Sequence, residues 1–144
     1  MAAYIPEQGD LVILTFNPQA GHVQMGRRPA IVLSVTPFNR WTGLAICCPI
    51  TNTLRDTPFH IPVPKDSGLT GFVMCERMKS VDYHARHIQK VGQASEDFLN
   101  EVLAILDSCL FSSWMLHPTT HGIKSRTEAQ SSWNGYGVGI RGFV

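Results

Sequence analysis

Two short segments of the chain place arginine beside the start or end of an apolar run. The first is Gly26-Arg27-Arg28-Pro29, which puts paired arginines immediately before an apolar stretch. The arginine guanidinium is planar and permanently charged, and its fork of N–H donors suits a phosphate. Because Arg28 would lie at the anchored start of a strand, its side chain would be well positioned. Composition alone is equally consistent with a solvated surface pair.

The second segment follows the apolar run that ends at Ile50. Thr51, Asn52 and Arg55 supply a hydroxyl, an amide and a guanidinium in close succession. Taken alone, this pattern also fits an ordinary strand end followed by a turn. Glu76 with its neighbours Arg77 and Lys79 forms a third polar group, and such a cluster is either solvated or contains a carboxylate with a shifted pKa.

Metal-binding and nucleotide-binding motifs are missing from the sequence: it contains no HExxH, no P-loop and no dinucleotide-binding fingerprint. His84 and His87 are three residues apart, but their strand or loop context does not favour shared metal ligation. The adjacent Cys47 and Cys48 would point to opposite faces of a strand, so they cannot bind a metal as CxxC pairs do. We therefore expect no metal site and reduced cysteines that fill small apolar spaces, Cys75 and Cys109 included.

The first 90 residues read as short strands separated by turns. The expected strands cover residues 11–16, 29–35, 44–50, 59–63, 71–76 and 78–81. Residues 29–35 are almost continuously apolar, which is typical of a strand buried on both faces, whereas two prolines in residues 59–63 indicate an edge or bulged strand. The fold class expected from this pattern is mainly β, as a small barrel or sandwich.

A helix is expected after Ser95, which can cap it, with Glu96 and Asp97 in the first turn. Apolar residues then recur at helical spacing and should pack on the barrel. They are Phe98, Leu99, Val102, Leu103, Ile105, Leu106 and Leu110.

Composition suits one domain: the chain has 144 residues, of which 44% are hydrophobic and 16% charged, with a net charge of +1. No stretch is apolar enough to span a membrane, and no secretory signal is visible, so we expect a cytoplasmic protein. The net charge conceals an uneven distribution of basic and acidic residues along the chain. Residues 1–90 carry nine basic and six acidic side chains, whereas residues 91–111 carry four acids and no base. We expect a basic body with an acidic helix.

Residues 112–144 differ in composition from the rest of the chain, because they are rich in Ser, Thr and Gly. We expect residues 1–111 to form the working domain and residues 112–144 to form a flexible tail.

The order of these segments resembles the MazF/PemK (Kid-like) toxins of type II toxin–antitoxin systems. The matching stretches are Gly9-Asp10-Leu11, Phe16-Asn17-Pro18, Gly21-His22, Gly26 to Ser34, Phe38-Asn39, Pro49-Ile50-Thr51, Glu76 to Ser80 and the last predicted helix. The resemblance implies an SH3-like (CcdB/PemK-type) barrel with a C-terminal helix, a homodimer, and a metal-independent endoribonuclease that cleaves single-stranded mRNA. It also implies inhibition by a cognate MazE-like antitoxin.

Residue roles follow from the resemblance by position. Arg28 matches the catalytic arginine and Thr51 the catalytic hydroxyl residue, while His22 and Glu76 are the candidate general bases. The residues expected to contact RNA are Arg27, Gln24, Asn52, Arg55, Arg77 and Lys79. Phe16, Phe38 and Trp41 are candidate platforms for base stacking.

Departures from the family pattern bear on cleavage specificity. Val23 stands where many members have glutamate, and Glu76 where most have aspartate. Arg77 replaces a common glutamine, and Asn52 a common serine or threonine. Since Val23 has no carboxylate, Glu76 is favoured over His22 as the base. The expected reaction is attack of the RNA 2′-hydroxyl on phosphorus, giving a 2′,3′-cyclic phosphate and a 5′-hydroxyl end.

Two other functions are open at this point. A CcdB-like gyrase poison shares the barrel, but those toxins end their helix in Trp-Gly-Ile, whereas here the helix ends in Leu110-Phe111 and Trp114 is followed by Met115. A catalytically degenerate member that only binds RNA is suggested by Val23 and by residues 112–144.

Overall fold

The computed structural model describes residues 3–15 and 26–111. Their helices are α1 (Thr36–Thr42) and α2 (Glu96–Leu110), and single 3₁₀ turns lie at Lys65–Ser67 and Cys75–Arg77. The strands are β1 (Asp10–Thr15), β2 (Arg27–Val32), β3 (Leu44–Thr51), β4 (His60–Pro62), β5 (Phe72–Met74), β6 (Lys79–Asp82) and β7 (Gln89–Gln93).

One antiparallel sheet contains all seven described strands: six follow the order β4-β5-β3-β2-β1-β7, and β6 lies off this path, paired with β3. β3 is its longest strand, at eight residues, and joins two halves of the sheet. The first half of β3 pairs with β6 and its last residues pair with β5, while β2 pairs with its middle. The result is the expected mainly β fold with a helix after the strands, and β4 lies at an edge as its prolines indicated.

The central strands are buried on both faces, because each face carries its own apolar cluster. The inner cluster is formed by β1, β2, β3, β6 and the residue after β6, and contains Val12, Leu14, Ala30, Val32, Ala45, Cys47, Val81 and Tyr83. The outer cluster lies on the opposite face and includes Leu11, Ile31, Cys48, Ile50, Ile61, Val73 and residues of α2. Cys47 and Cys48 thus point to opposite faces, as expected from strand alternation.

Helix α2 covers the outer cluster. Ser95 caps it, since its Oγ accepts a hydrogen bond from the Phe98 N–H at 3.2 Å. Phe98, Leu99 and Val102 are buried with Leu106, but Leu110 is 61% exposed, so the apolar contact ends before the expected position. Neither described helix is long and apolar enough to span a membrane.

Two elements, α1 and β7, were not expected from the sequence. Helix α1 has seven residues, too short to show a hydrophobic period, although Pro37 in its first turn and Gly43 at its end (φ 71°) are ordinary helix signals. β7 is a largely polar, exposed edge strand without apolar alternation.

The four cysteines are unpaired, but the expectation of buried fillers is wrong for Cys109, which is exposed.

The Gly9-Asp10 pair joins the N-terminal segment to the sheet. Asp10 is fully buried; its Oδ2 accepts hydrogen bonds from the Tyr4 hydroxyl and from the Glu7 N–H, the latter at 3.0 Å. Lys90 Nζ lies 3.1 Å from its Oδ1. A buried carboxylate needs such partners because removal from water disfavours its charge. Gly9 has φ +92°, which disfavours any other residue there.

Replacing Asp10 should therefore destabilise the fold. We expect Asp10→Asn to lower the free energy of unfolding by about 2 kcal/mol, because the amide cannot pair with Lys90 and disrupts charge-assisted hydrogen bonds. Urea denaturation measures this change. The control is Asp82→Asn, whose exposed turn carboxylate accepts one hydrogen bond from the Ala85 N–H that an amide oxygen can also accept. Equal stability of the two variants would contradict the prediction.

Candidate functional site

The register between β2 and β3, continued to the ends of the two strands, aligns the two main predicted residues. Ala30 pairs with Pro49. Continuing this antiparallel register by two residues would place Arg28 opposite Thr51, on the same face as Ala30. Ala30 belongs to the inner cluster and alternation puts Arg28 on the same side, so we call this side of the sheet the Arg28 face. It is the face opposite α2. Directly opposed side chains have Cβ atoms about 5 Å apart.

Arg28 presents an unoccupied guanidinium on this face. Its side chain is exposed, and among residues 3–15 and 26–111 none hydrogen bonds to it or forms an ion pair with it. Its backbone is held in the sheet opposite Leu14 of β1. A cation on a rigid strand with its donors free is suited to an anionic ligand.

The hydroxyl of Thr51 is oriented by the turn that follows it. Its Oγ1 accepts a hydrogen bond from the Thr53 N–H at 3.2 Å, which leaves the hydroxyl proton to donate elsewhere. Next to it, the Asn52 Oδ1 accepts a hydrogen bond from the Thr70 hydroxyl at 3.2 Å. Gly71 makes this packing feasible: it has φ +124°, and a Cβ there would lie 2.5 Å from the Thr51 carbonyl oxygen.

Glu76 lies in the 3₁₀ turn between β5 and β6, and it contacts a histidine that sequence reasoning did not identify. Its Oε1 is 2.6 Å from His60 Nε2; the His60 side chain is 1% exposed and that of Glu76 is 40% exposed. Partial burial alone would raise the pKa of Glu76, but the hydrogen bond from His60, a hydrogen bond from the backbone and the charge of Arg77 outweigh it, so the pKa is lowered. Glu76 is therefore an ionised, hydrogen-bonded carboxylate.

Strand alternation places this pair on the Arg28 face as well. Ile61 of β4 belongs to the outer cluster, so its neighbour His60 points to the other side. His60 pairs with Met74, and Phe72 pairs with Thr51 two residues earlier on β5. The His60 row and the Thr51 row are therefore offset by about 7 Å along the strands, the repeat of two residues. β5 lies between the strands that carry them, which adds about 10 Å across the sheet. The period of two in residues 59–63 was the available signal for His60.

The remaining predicted RNA-binding residues are distributed unevenly. Arg55 and Asn52 are exposed in the loop after β3, Arg77 adjoins Glu76, and Lys79 shares the Arg28 face through its pairing with Cys47. Arg27 lies on the other face: its Nη1 donates to the His87 carbonyl at 3.1 Å and its Nη2 to the Ile13 carbonyl at 3.5 Å. The structure thus does not bring Arg27 together with Arg28. His22 and Gln24 lie outside the described residues.

Two of the proposed stacking aromatics lie far from this site. Phe38 and Trp41 belong to α1, which joins the end of β2 to the start of β3, whereas Arg28 and Thr51 lie at the opposite ends of those strands. The eight residues of β3 span roughly 25 Å, so stacking beside Arg28 is excluded for both. Phe16 lies outside the described residues. Phe72, half-buried opposite Thr51, is the aromatic side chain that adjoins the site.

Charge is segregated between the two faces. The acids of α2 (Glu96, Asp97, Glu101 and Asp107) lie on the helix that covers the outer cluster, away from the Arg28 face. This confirms the expected acidic helix set apart from the basic body. Within the described part of the chain, no group of three or more His, Cys, Asp and Glu side chains is placed to hold a metal ion.

Comparison with protein families identifies the chain. Residues 7–110 match the family described as "PemK-like, MazF-like toxin of type II toxin-antitoxin system". The chain belongs to this PemK/MazF toxin family. The resemblance seen in Gly26 to Ser34 and in Pro49-Ile50-Thr51 is thereby confirmed.

Named relatives and solved structures agree with this membership. The chain is 33% identical over 104 residues to the endoribonuclease toxin MazF of Escherichia coli K12, covering 72% of this chain and 93% of the relative. It is 36% identical over 107 residues to the endoribonuclease toxin ChpB of the same strain, covering 71% and 91%. A crystal structure of MazF from Deinococcus radiodurans superposes with a TM-score of 0.68 at 42% identity, covering 75% of this chain and 98% of that one. A MazE–MazF complex from that organism gives 0.68 at 36% identity, covering 77% and 100%.

Gly71 is the residue of this site that tolerates substitution least. We expect Gly71→Ala to destabilise the protein by about 3 kcal/mol, since it adds both positive-φ strain and a backbone clash at Thr51. Gly68→Ala is the matched control: its φ is +84°, but its Cβ would meet nothing within 4 Å, so we expect about 1 kcal/mol. Thermal unfolding of both variants measures the difference, and an equal loss would show that the close approach to Thr51 is unimportant.

Proposed function

We propose that this PemK/MazF family member is the toxin of a toxin–antitoxin pair and acts as a metal-independent endoribonuclease on single-stranded mRNA. The observation that carries the proposal is the combination on one side of the molecule of an exposed arginine without a side-chain partner among the described residues, an oriented hydroxyl and an ionised carboxylate: Arg28, Thr51 and Glu76. The naming of the E. coli relatives as endoribonuclease toxins supports the reaction class.

Cleavage without a metal requires three actions from protein side chains. The substrate's 2′-hydroxyl must lose its proton, the charge that builds up on the phosphorane oxygens must be stabilised, and the leaving 5′ oxygen must gain a proton. The 2′ oxygen attacks the adjacent phosphorus, the bond from phosphorus to the 5′ oxygen breaks, and the products are a 2′,3′-cyclic phosphate and a 5′-hydroxyl end. DNA lacks the nucleophile and is not a substrate.

The geometry suggests one role for each residue. Arg28 binds the scissile phosphate and stabilises the phosphorane; being always charged, it orients the leaving oxygen but does not give up a proton. Thr51 donates its hydroxyl proton to a non-bridging oxygen, since its Oγ1 already accepts from Thr53. Glu76 accepts the 2′-hydroxyl proton. The leaving 5′ oxygen takes its proton from solvent water or from His22, which lies outside the described residues and stays the predicted alternative to Glu76 for proton transfer.

RNA binding and inhibition would use the same face. Arg55, Arg77 and Lys79 extend the positive charge around Arg28, and Phe72 and Asn52 lie at Thr51 for base contact. The MazE–MazF complex among the similar structures supports a MazE-like antitoxin as partner. An acidic segment of that antitoxin would compete with RNA for these cations. We also propose a homodimer, because a groove across two small barrels contacts more of an extended strand.

The first test is Arg28→Ala on a long RNA of mixed sequence, with and without EDTA. We expect kcat to fall about 100- to 1,000-fold, as when one donor to a developing oxyanion is removed. The parent protein should produce 5′-hydroxyl ends at the same rate in EDTA. Arg40→Ala is the control, because it removes another exposed arginine, which lies in α1. Undiminished cleavage by Arg28→Ala would overturn the assignment, and RNA binding without cleavage by the parent would establish the degenerate alternative.

A second test concerns affinity and salt. Arg55→Ala should weaken RNA binding and reduce the slope of log affinity against log salt concentration by about 0.7, the value for one phosphate contact on a single strand. Fluorescence anisotropy at several salt concentrations measures the slope, using Arg28→Ala as background so that the RNA stays intact. Arg40→Ala in the same background should keep the slope. An unchanged slope in the Arg55 variant would remove Arg55 from the RNA-binding surface.

A further inference from the structure

His60 is the buried titratable group that these roles leave unused. Its side chain is 1% exposed, so RNA does not reach it, yet its Nε2 lies 2.6 Å from the Glu76 carboxylate. We infer that His60 is a positioning residue that holds Glu76 in the orientation that accepts the 2′-hydroxyl proton. This inference rests on the proposed role of Glu76 as the base.

Both ends of the contact are fixed by the backbone. His60 lies in β4 opposite Met74 of β5, and Glu76 follows two residues later in the 3₁₀ turn. The Cys75 N–H donates to the Phe59 carbonyl at 3.1 Å, which ties the start of that turn to the residue before His60. The imidazole therefore approaches from β4, and the carboxylate from the turn that follows the neighbouring strand β5. A glutamate on an exposed turn would otherwise sample several rotamers.

The surroundings of the ring determine where its proton lies. His60 Nδ1 is buried and has no hydrogen-bond partner among the described residues. If the neutral ring carried its proton on Nδ1, a buried donor would be unpaired and the Nε2 lone pair would face Glu76 Oε1 at 2.6 Å. Both are unfavourable, so the proton is on Nε2 and is donated to Glu76. His60 thus occupies Oε1, and Oε2 of the 40%-exposed carboxylate remains for the substrate.

The other titratable groups near the pair do not compete with it. Arg77 is a permanent cation in the same turn, and the Cys48 and Cys75 thiols are neutral because burial raises their pKa, that of Cys75 to about 12. Loss of the His60 hydrogen bond should therefore raise the pKa of Glu76 from its lowered value. The sign for activity follows: a base is lost as pH falls through its pKa, so the parent should keep activity to lower pH than a variant without the contact.

The test compares His60→Gln, which keeps an N–H donor near the Nε2 position, with His60→Leu, which has none. For each we would measure the pH profile of kcat/KM and the pH titration of the Glu76 carboxyl by ¹³C NMR in the absence of RNA. We expect His60→Leu to move the acidic limb and the carboxyl titration together to higher pH. Its plateau kcat/KM should fall about 100-fold, as for a catalytic group displaced by about 1 Å. His60→Gln should restore most of both.

Controls separate this inference from the proposed function. His84→Leu removes an exposed histidine from another turn and should change neither profile. If His60→Leu does not fold, His60→Asn replaces it, because its shorter amide cannot reach Glu76. A His60 variant that folds, lacks the donor and keeps the parent pH profile would overturn the inference about His60. The proposed role of Glu76 would still stand in that case, provided that Glu76→Gln is inactive. Full cleavage by Glu76→Gln would instead overturn the role of Glu76 itself, and the inference with it.

Discussion

The antiparallel register between β2 and β3 is the constraint on which the site depends. Because Ala30 is held opposite Pro49, even-numbered residues of β2 share a face with odd-numbered residues of β3, and the register continued by two residues places Arg28 in line with Thr51. A shift of one residue would turn one of them toward α2 and separate the cation from the hydroxyl. The apolar clusters on both faces oppose such a shift, since it would move Ile31 and Val32 each into the opposite cluster and disrupt the packing of both. Core packing thus fixes the relative position of the polar groups at the strand ends.

The strands and helix α2 could be predicted because their signals are local. Continuous apolar runs, turn residues and the Ser95 cap are visible in the sequence, and the structure contains each corresponding element within a few residues of its expected limits. Helix α1 and β7 could not be predicted, since one is too short for periodicity and the other is stabilised by pairing with β1 rather than by apolar side chains. Long-range pairing has no local signature.

The same distinction holds for the site. Arg28 and Thr51 could be predicted because each belongs to a short local sequence pattern at the start or end of a strand. The resemblance to the toxin family then implies a role for both. The His60–Glu76 contact joins residues sixteen positions apart through the β4–β5 pairing, so neither neighbourhood reveals it. Arg27 shows the opposite case: adjacent to Arg28 in sequence, it is turned away by strand alternation and binds two backbone carbonyls. Proximity along the chain was a poor guide to function there.

The identity of residue 76 explains why a buried histidine matters at this site. Glutamate has one more methylene than aspartate, and hence one more rotatable bond to restrain before its carboxylate can accept a proton as proposed. Fixing such a side chain costs up to about 2 kcal/mol of rotamer entropy, comparable with the contribution of a charge-assisted hydrogen bond. The 2.6 Å contact with His60 offsets that cost before RNA arrives. The longer carboxylate and its buried partner therefore form one unit, and exchanging Glu76 for aspartate would leave His60 without its acceptor.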